Sequence, residues 1–401
     1  MSIGASFPYS YVYPELLYYQ VWFIIKSCNM RAAVFYSPNN ISIEERNGAS
    51  SSGNNEGKEI LVRMNACAVC GYDVNVYRNG HTKVRAPVVL GHEICGELME
   101  SPNIPISHTG LNENAYKLDL VEGTRVVLSP VVPCLNCMYC DSGQYNLCTH
   151  LGEIGSSIDG GFAEFVRIPN NTLKIGGLIP LPNSLTNEES TLIEPLACCL
   201  NGFKRINSFS NDVVERKTFV ILGDGPIGLI HLQLAKYLYG ARTIVVGRVK
   251  HRLQSAKNMG ADFVIELEEN KDSPTSVIKE VLDLTDGKGT SVSIIATPNP
   301  DAFEVAAGIA SKNSIINIFA GMPRHPSFQL DPNWVHYNQI ALIGSFSATP
   351  KLIRESIELA AEKRGINLST IITHRCKLDE IYKALEITEE LLGLRVVINS
   401  F

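Results

Sequence analysis

The sequence predicts an α/β chain of two domains, one irregular and mostly β, the other a doubly wound parallel sheet. Three observations predict it. The chain has 401 residues, 45% of them hydrophobic and 19% charged, enough to bury a large core and too many for one ordinary domain. From Met30 to about Pro180, short apolar runs are separated by Gly, Pro and Asn turns. From about Glu215 the texture changes to strand and helix in alternation, the pattern of a parallel sheet covered on both faces.

The elements follow in order. Residues 1 to 29 resemble nothing that follows and read as an N-terminal extension: an upstream start codon, a floppy leader, or a subunit contact made by its aromatic residues. Its apolar run from Leu16 to Ile25 is interrupted by Gln20 and is too short to span a bilayer. "MRAAVFYSPNNISIEE" from Met30 reads as a first hairpin, followed by a soft loop from Arg46 to Glu59. In the second half the strands are "TFVILG", "TIVVG" and "DFVI", with the helices "PIGLIHLQLAKYLYGA" and "KHRLQSAKNMGA" between them. Three more strands are expected at Val292 to Ala296, Ser314 to Phe319 and Ile340 to Ile343. The remainder is helical and ends in the strand "RVVINS", which must pair elsewhere.

A net charge of -6 with no run of Lys or Arg excludes a nucleic-acid surface or an anionic membrane surface, and small-molecule partners fit better. Eleven cysteines in so long a chain, with no convincing route out of the cytoplasm, indicate a reduced, cytoplasmic protein. Four of them are packed into "PCLNCMYCDSGQYNLC": Cys134, Cys137, Cys140 and Cys148. Four thiolates suit a tetrahedral metal, usually zinc, and leave it no open position, so this reads as a structural site. Disulfide pairing and a nucleic-acid-binding zinc ribbon are the competing readings.

The chemistry must then lie in "CAVCGYD" (Cys67 to Asp73), "GHEICGE" (Gly91 to Glu97) and "EPLACC" (Glu194 to Cys199). Together these supply one thiolate, one imidazole and one carboxylate, leaving a fourth zinc position for water or a substrate oxygen. In "VILGDGPIGL", Gly223, Gly225 and Gly228, with Pro226 and Ile227 between them, follow a strand and open a helix. That is the dinucleotide fingerprint of a Rossmann unit: a tight turn, a close backbone approach to pyrophosphate, and a helix N-terminus facing the anion.

The order Cys-Gly-x-Asp, Gly-His-Glu, four-Cys lobe, Glu-Pro-Leu-Ala, Gly-x-Gly-x-x-Gly resembles the zinc-dependent medium-chain dehydrogenase/reductase family over roughly Met30 to Phe401. The Glu-Pro-Leu-Ala variant and "HYNQIALIGSFSATP" are similar to its sorbitol (polyol), threonine and sugar dehydrogenase branch. The resemblance implies a GroES-like catalytic domain over 30–195 with the structural zinc lobe, a Rossmann domain over 196–342, and a return to the catalytic domain over 343–401. It implies two zinc ions per chain, and a homodimer or homotetramer. Cys70 and His92 become direct ligands of the catalytic zinc, and Glu93 and Glu194 the carboxylates that coordinate it directly or through water. Cys67 is then a packing residue, as are Cys95, Cys198 and Cys199.

The implied reaction is reversible hydride transfer between a secondary alcohol, polyol or sugar-like, and NAD(P), with zinc stabilising the alkoxide. Threonine or simple-alcohol dehydrogenase, and a non-catalytic zinc-stabilised nucleotide-binding protein, are the alternatives. Three departures stand out. Tyr72 stands where the family has a Ser or Thr proton relay, and either its phenol or a carboxylate and water take over that step. Asn75 replaces a common His, and Ser101 to Asp119 is a longer link than usual and reads as a surface loop. At the end of the second Rossmann strand an acid would bind the adenosine ribose, but here Gly247 is followed by Arg248. NADP is therefore expected to be favoured over NAD.

Overall fold

The computed structural model describes residues 29–47, 59–101, 120–209, 217–268, 273–322, 327–362 and 365–401. The N-terminal extension, most of the soft loop and the link from 102 to 119 lie outside the described residues.

The first half is built on a seven-stranded sheet. Its path runs through the strands Leu178–Pro180, Arg125–Leu128, Glu93–Leu98, Ile60–Val69, Arg395–Ser400 and Ile372–Lys377, and Phe165–Ile168 pairs with Ile60–Val69 off that path. The expected hairpin is present: Asn29–Ser37 pairs antiparallel with Asn40–Asn47, and a short strand Val88–Val89 completes a second sheet. Both enclose one apolar core that includes Ile60, Val62, Ile94, Val126, Phe162 and Ile398.

The second half carries a six-stranded, all-parallel sheet in the order Phe263–Glu266, Arg242–Gly247, Thr218–Leu222, Thr290–Ile295, Ala310–Ile318, Ala341–Gly344. The strand order therefore reverses between Thr218–Leu222 and Thr290–Ile295, which makes the carboxyl ends of those two strands the crevice for a ligand. Their near-continuous Val and Ile runs are what a sheet buried on both faces needs. Helix Pro226–Tyr239 starts on Pro at its first position and stops at Gly240 in the left-handed region (φ 54°).

The two halves share material. The strand Arg395–Ser400 returns to the first sheet, pairing antiparallel with Ile60–Val69 and parallel with Ile372–Lys377. Helix Ile193–Phe209 continues unbroken through the boundary expected at 195. It starts at the first sheet and packs against Pro226–Tyr239 and Pro350–Ala361 of the second half, so one apolar core joins Ala66 and Cys95 to Phe203, Phe219 and Ile353.

Candidate active site

Strand Ile60–Val69 runs directly into Cys70, the N-cap of helix Gly71–Asn79. The Cys70 N–H donates to Asp73 Oδ2 at 2.9 Å, half of a capping box that fixes the thiol at the strand–helix junction. Asp73 is fully buried, and its other oxygen faces the second motif. The Gly91 N–H donates to Oδ1 at 3.4 Å, and His92 Nδ1 lies 3.5 Å from the same atom. One carboxylate thus braces both Cys70 and His92, as an outer-shell partner of a metal-binding imidazole does.

The ligand atoms of Cys70, His92 and Glu93 lie within 4.8 Å of one another. Glu93 is 1% exposed, and neither of its carboxylate oxygens has a hydrogen bond. Arg395 Nη2 stands 3.2 Å from Glu93 Oε1, an ion pair without hydrogen-bond geometry, while Arg395 Nη1 donates to the Val69 carbonyl at 3.1 Å. Burial pushes the Glu93 carboxyl up to about 7 against the pull of Arg395 and His92. Burial also works against charge on His92, and Asp73 and Cys70 together more than reverse it, so the imidazole is held well above its usual range. A buried carboxylate without donors beside a half-buried thiol and an imidazole fits a zinc ion with an open position.

Glu194, expected among the ligands, falls outside this close set. It is buried at the start of helix Ile193–Phe209, where Cys198 Sγ, one turn on, donates to its Oε1 at 3.3 Å. Cys67 is fully buried, and its Sγ fills the space over Gly91 and Gly161, 2.9 and 2.8 Å from where added Cβ atoms would lie. Tyr72 Oη meets Ser156 Oγ at 2.7 Å and His81 Nδ1 at 3.4 Å, and its ring stands edge-on to His92 at 5.8 Å. Asn75 is exposed and accepts from Asn79.

In the four-Cys lobe all four sulfurs lie within 4.8 Å of one another, with Cys137–Cys140 at 3.5 Å and both Cys134–Cys140 and Cys137–Cys148 at 4.0 Å. A tetrahedral ion with sulfur bonds of about 2.3 Å sets its sulfurs about 3.8 Å apart, whereas a disulfide needs about 2.05 Å. The spacing fits a cage. Backbone donors from Thr149 and Cys140 bring the Cys137 thiol down to about 5, whereas burial pushes Cys140 up to about 12.

Gly223 closes strand Thr218–Leu222, Gly225 is the N-cap of helix Pro226–Tyr239, and Pro226, Ile227 and Gly228 form its first turn. A Cβ on Gly228 would stand 1.9 Å from the Gly223 carbonyl oxygen, so only glycine lets the helix start this close to the strand. Gly247 ends the neighbouring strand and Arg248, exposed, follows it.

The expectation of NADP took this strand end to lack an acid. In space it has one: Asp224, from the glycine turn, reaches across and its Oδ2 accepts from the Arg248 N–H at 2.8 Å and the Val249 N–H at 2.7 Å. That carboxylate comes from the glycine turn and not from the strand that Gly247 ends.

Ser156 and Arg395 were not singled out in the sequence, and Asp73 and Asp224, inside the quoted motifs, were given no role of their own. Only Asp73 left a local signal, the capping-box spacing three residues after Cys70.

Comparison with known proteins gives the same picture. Residues 56–182 match the alcohol dehydrogenase GroES-like domain, and residues 226–362 match the zinc-binding dehydrogenase domain. D-arabitol-phosphate dehydrogenase of Enterococcus avium is 31% identical over 85% of this chain and 90% of its own length. Sorbitol dehydrogenase of Halalkalibacterium halodurans is 29% identical over 85% and 91%. Among solved structures, a protein described as a zinc-binding dehydrogenase of Sinorhizobium meliloti bound to NADP superposes with a TM-score of 0.77 at 26% identity, covering 92% of this chain and 99% of that one. An alcohol dehydrogenase (rspB) of Escherichia coli complexed with NADH gives 0.77 at 25%, covering 93% and 100%. With its two-domain fold, its thiol cage and this kinship, the chain belongs to the zinc-dependent medium-chain dehydrogenase/reductase family, in the branch of the polyol dehydrogenases.

Proposed function

We propose that the chain oxidises a secondary alcohol of the polyol or sugar class reversibly to the ketone, with NAD(P) as the partner in hydride transfer. The observation that carries the reading is the convergence of Cys70, His92 and Glu93 within 4.8 Å. In this reading those three residues would hold a catalytic zinc, with Glu194 as a further carboxylate, and Cys134, Cys137, Cys140 and Cys148 a second, structural zinc. When bound, the catalytic ion supplies a Lewis acid to the substrate hydroxyl and the nicotinamide ring takes the hydride. The polyol class is supported by the relatives that act on sorbitol and arabitol phosphate.

The remaining work falls to side chains. Asp73 holds Cys70 and His92 in place, and Arg395 balances the charge of Glu93 inside the protein. Tyr72 passes the hydroxyl proton outward: its phenol, bonded to Ser156, takes the position of the relay hydroxyl. Gly223, Gly225, Pro226, Ile227 and Gly228 seat the pyrophosphate. Gly247 and Arg248 alone would favour NADP, and the carboxylate of Asp224 beside them opposes it.

The domain limits expected from the sequence belong to the same reading, with the catalytic domain regained by the strand Arg395–Ser400. A reducing, cytoplasmic setting is supported by the ten described cysteines, all free. Among the described residues no helix is long and apolar enough to cross a membrane. Assembly into a homodimer or homotetramer is supported by helix Pro332–Asn338, which only half-buries Trp334 and Val335 against the core and leaves Tyr337 74% exposed.

The test is a screen of polyols, sugars, threonine and simple alcohols with both dinucleotides, before and after chelation. Turnover of a polyol that chelation abolishes is the expected result. Dinucleotide binding without turnover of any alcohol would instead leave a non-catalytic nucleotide-binding protein.

A further inference from the structure

Asp224 lies inside the glycine turn but does not serve it. It is 8% exposed, and one of its oxygens is fixed by the two backbone amides that open helix Lys250–Asn258, at 2.7 and 2.8 Å. Those amides point where the second strand ends and the helix begins, the position at which this fold reads the adenosine ribose. A 2′-phosphate placed there would seek the same two donors. It would find them filled, and by a group of its own charge.

The neighbouring glycine belongs to the same device. A Cβ on Gly247 would stand 2.3 Å from Asp224 Oδ2 and 2.4 Å from Asp224 Cβ, a collision with the root of the side chain and not only with its tip. Glycine at 247 is what lets the acid reach the strand end from the turn.

Resting on the dinucleotide reading above, we infer that Asp224 is the residue that accepts the adenosine ribose hydroxyls and excludes a 2′-phosphate, so that the chain selects NAD over NADP. Oδ2 is committed to the amides, and Oδ1, which accepts no hydrogen bond among the described residues, is available to the ribose. Arg248 argues the other way, but its side chain is exposed. A flexible, solvent-screened cation counts for less than a fixed carboxylate buried beside the site. Arg252, buried and bonded to the Gly393 carbonyl, lies near enough for Asp224 to support its charge, so the acid is partly balanced from behind without losing its oxygen to the ligand side.

The experiment uses the full-length, zinc-loaded chain. Equilibrium binding of NADH and NADPH is followed by nicotinamide fluorescence, and ADP-ribose and 2′-phospho-ADP-ribose compete for the site. The native chain should bind NADH at least tenfold more tightly than NADPH, about 1.4 kcal/mol, and ADP-ribose should be the stronger competitor. Asp224→Asn, which keeps an oxygen for the amides and loses the charge, should move the NADH-to-NADPH ratio at least tenfold toward NADPH. Gly247→Asp should fold poorly, whereas Asp224→Ala combined with Gly247→Asp should recover NADH selectivity with the acid moved to the strand. A native chain that favours NADPH tenfold, or an Asp224→Asn ratio within twofold of native, overturns the inference. The first of these needs no substitution, so a variant that fails to fold does not protect the idea. Binding of neither dinucleotide would overturn the functional reading itself.

Discussion

Replacing Asp73 separates the metal site from the fold that carries it. Its carboxylate accepts from the Cys70 N–H at 2.9 Å and the Gly91 N–H at 3.4 Å, and lies 3.5 Å from His92 Nδ1. Asp73→Ala strips a fully buried site of its acceptor. An orphaned buried donor costs about 1–3 kcal/mol, so with the Cys70 amide fully orphaned and the longer Gly91 bond counted in part, the loss of stability is about 2–4 kcal/mol. Asp73→Asn keeps a carbonyl oxygen for the Cys70 amide and should lose less stability. Both variants lose the charge that orients His92, and loss of such a partner weakens metal binding about 10–100-fold. Thermal denaturation of the zinc-free chain measures the first quantity, and competition with a chromogenic chelator measures the second. An Asn variant that folds normally and holds its exchangeable zinc within twofold of native would refute the brace.

Elemental analysis should give two zinc ions per chain, only one of them readily stripped. Cys70→Ser should abolish turnover with the fold retained, whereas Cys137→Ser should lower thermal stability first; a single zinc in a fully active preparation would count against this. Tyr72→Phe keeps the ring and removes the hydroxyl bonded to Ser156. Turnover should fall about 10²–10⁴-fold, and an unchanged rate and pH profile would send the proton by another path. His231 is fully buried, both ring nitrogens lack partners, and burial holds its pKa down at about 3. Between that value and about 6.5 the unfolded chain binds a proton that the folded chain does not, so stability is lost as pH falls, by about 2 kcal/mol at pH 5. Denaturation at pH 7 and pH 5 should show a smaller acid loss in His231→Leu, and equal losses in the two proteins would rule out this residue as the cause.

The sequence was most legible where one residue's role is set by its neighbours along the chain. All six strands of the parallel sheet could be read, the three central ones because strands buried on both faces are nearly unbroken Val and Ile runs. The thiol cage could be read because a single loop supplies it. What sequence could not show is what arrives from far away. Arg395 reaches Glu93, and Ser156 reaches Tyr72, only through tertiary packing. Asp224 reaches the end of the strand Arg242–Gly247 from the glycine turn, a placement that no spacing along either segment shows. Glu194, expected as a carboxylate that coordinates directly or through water, is met by a thiol one turn along its own helix, Cys198 Sγ donating to its Oε1.

The strand Arg395–Ser400 gives the centre a timetable. Arg395 bonds to the Val69 carbonyl across a separation of 326 residues, so the cation that balances Glu93 is synthesised long after Cys70 and His92. Until then the Ile60–Val69 strand presents an open edge on the side of the sheet that Arg395–Ser400 will fill. During synthesis the intervening parallel sheet, complete by Gly344, is free to form first, while the first half waits for its closing strand. A chain interrupted before Arg395 therefore carries Cys70, His92 and Glu93 without the cation that balances Glu93 and without the strand that closes the sheet beside them.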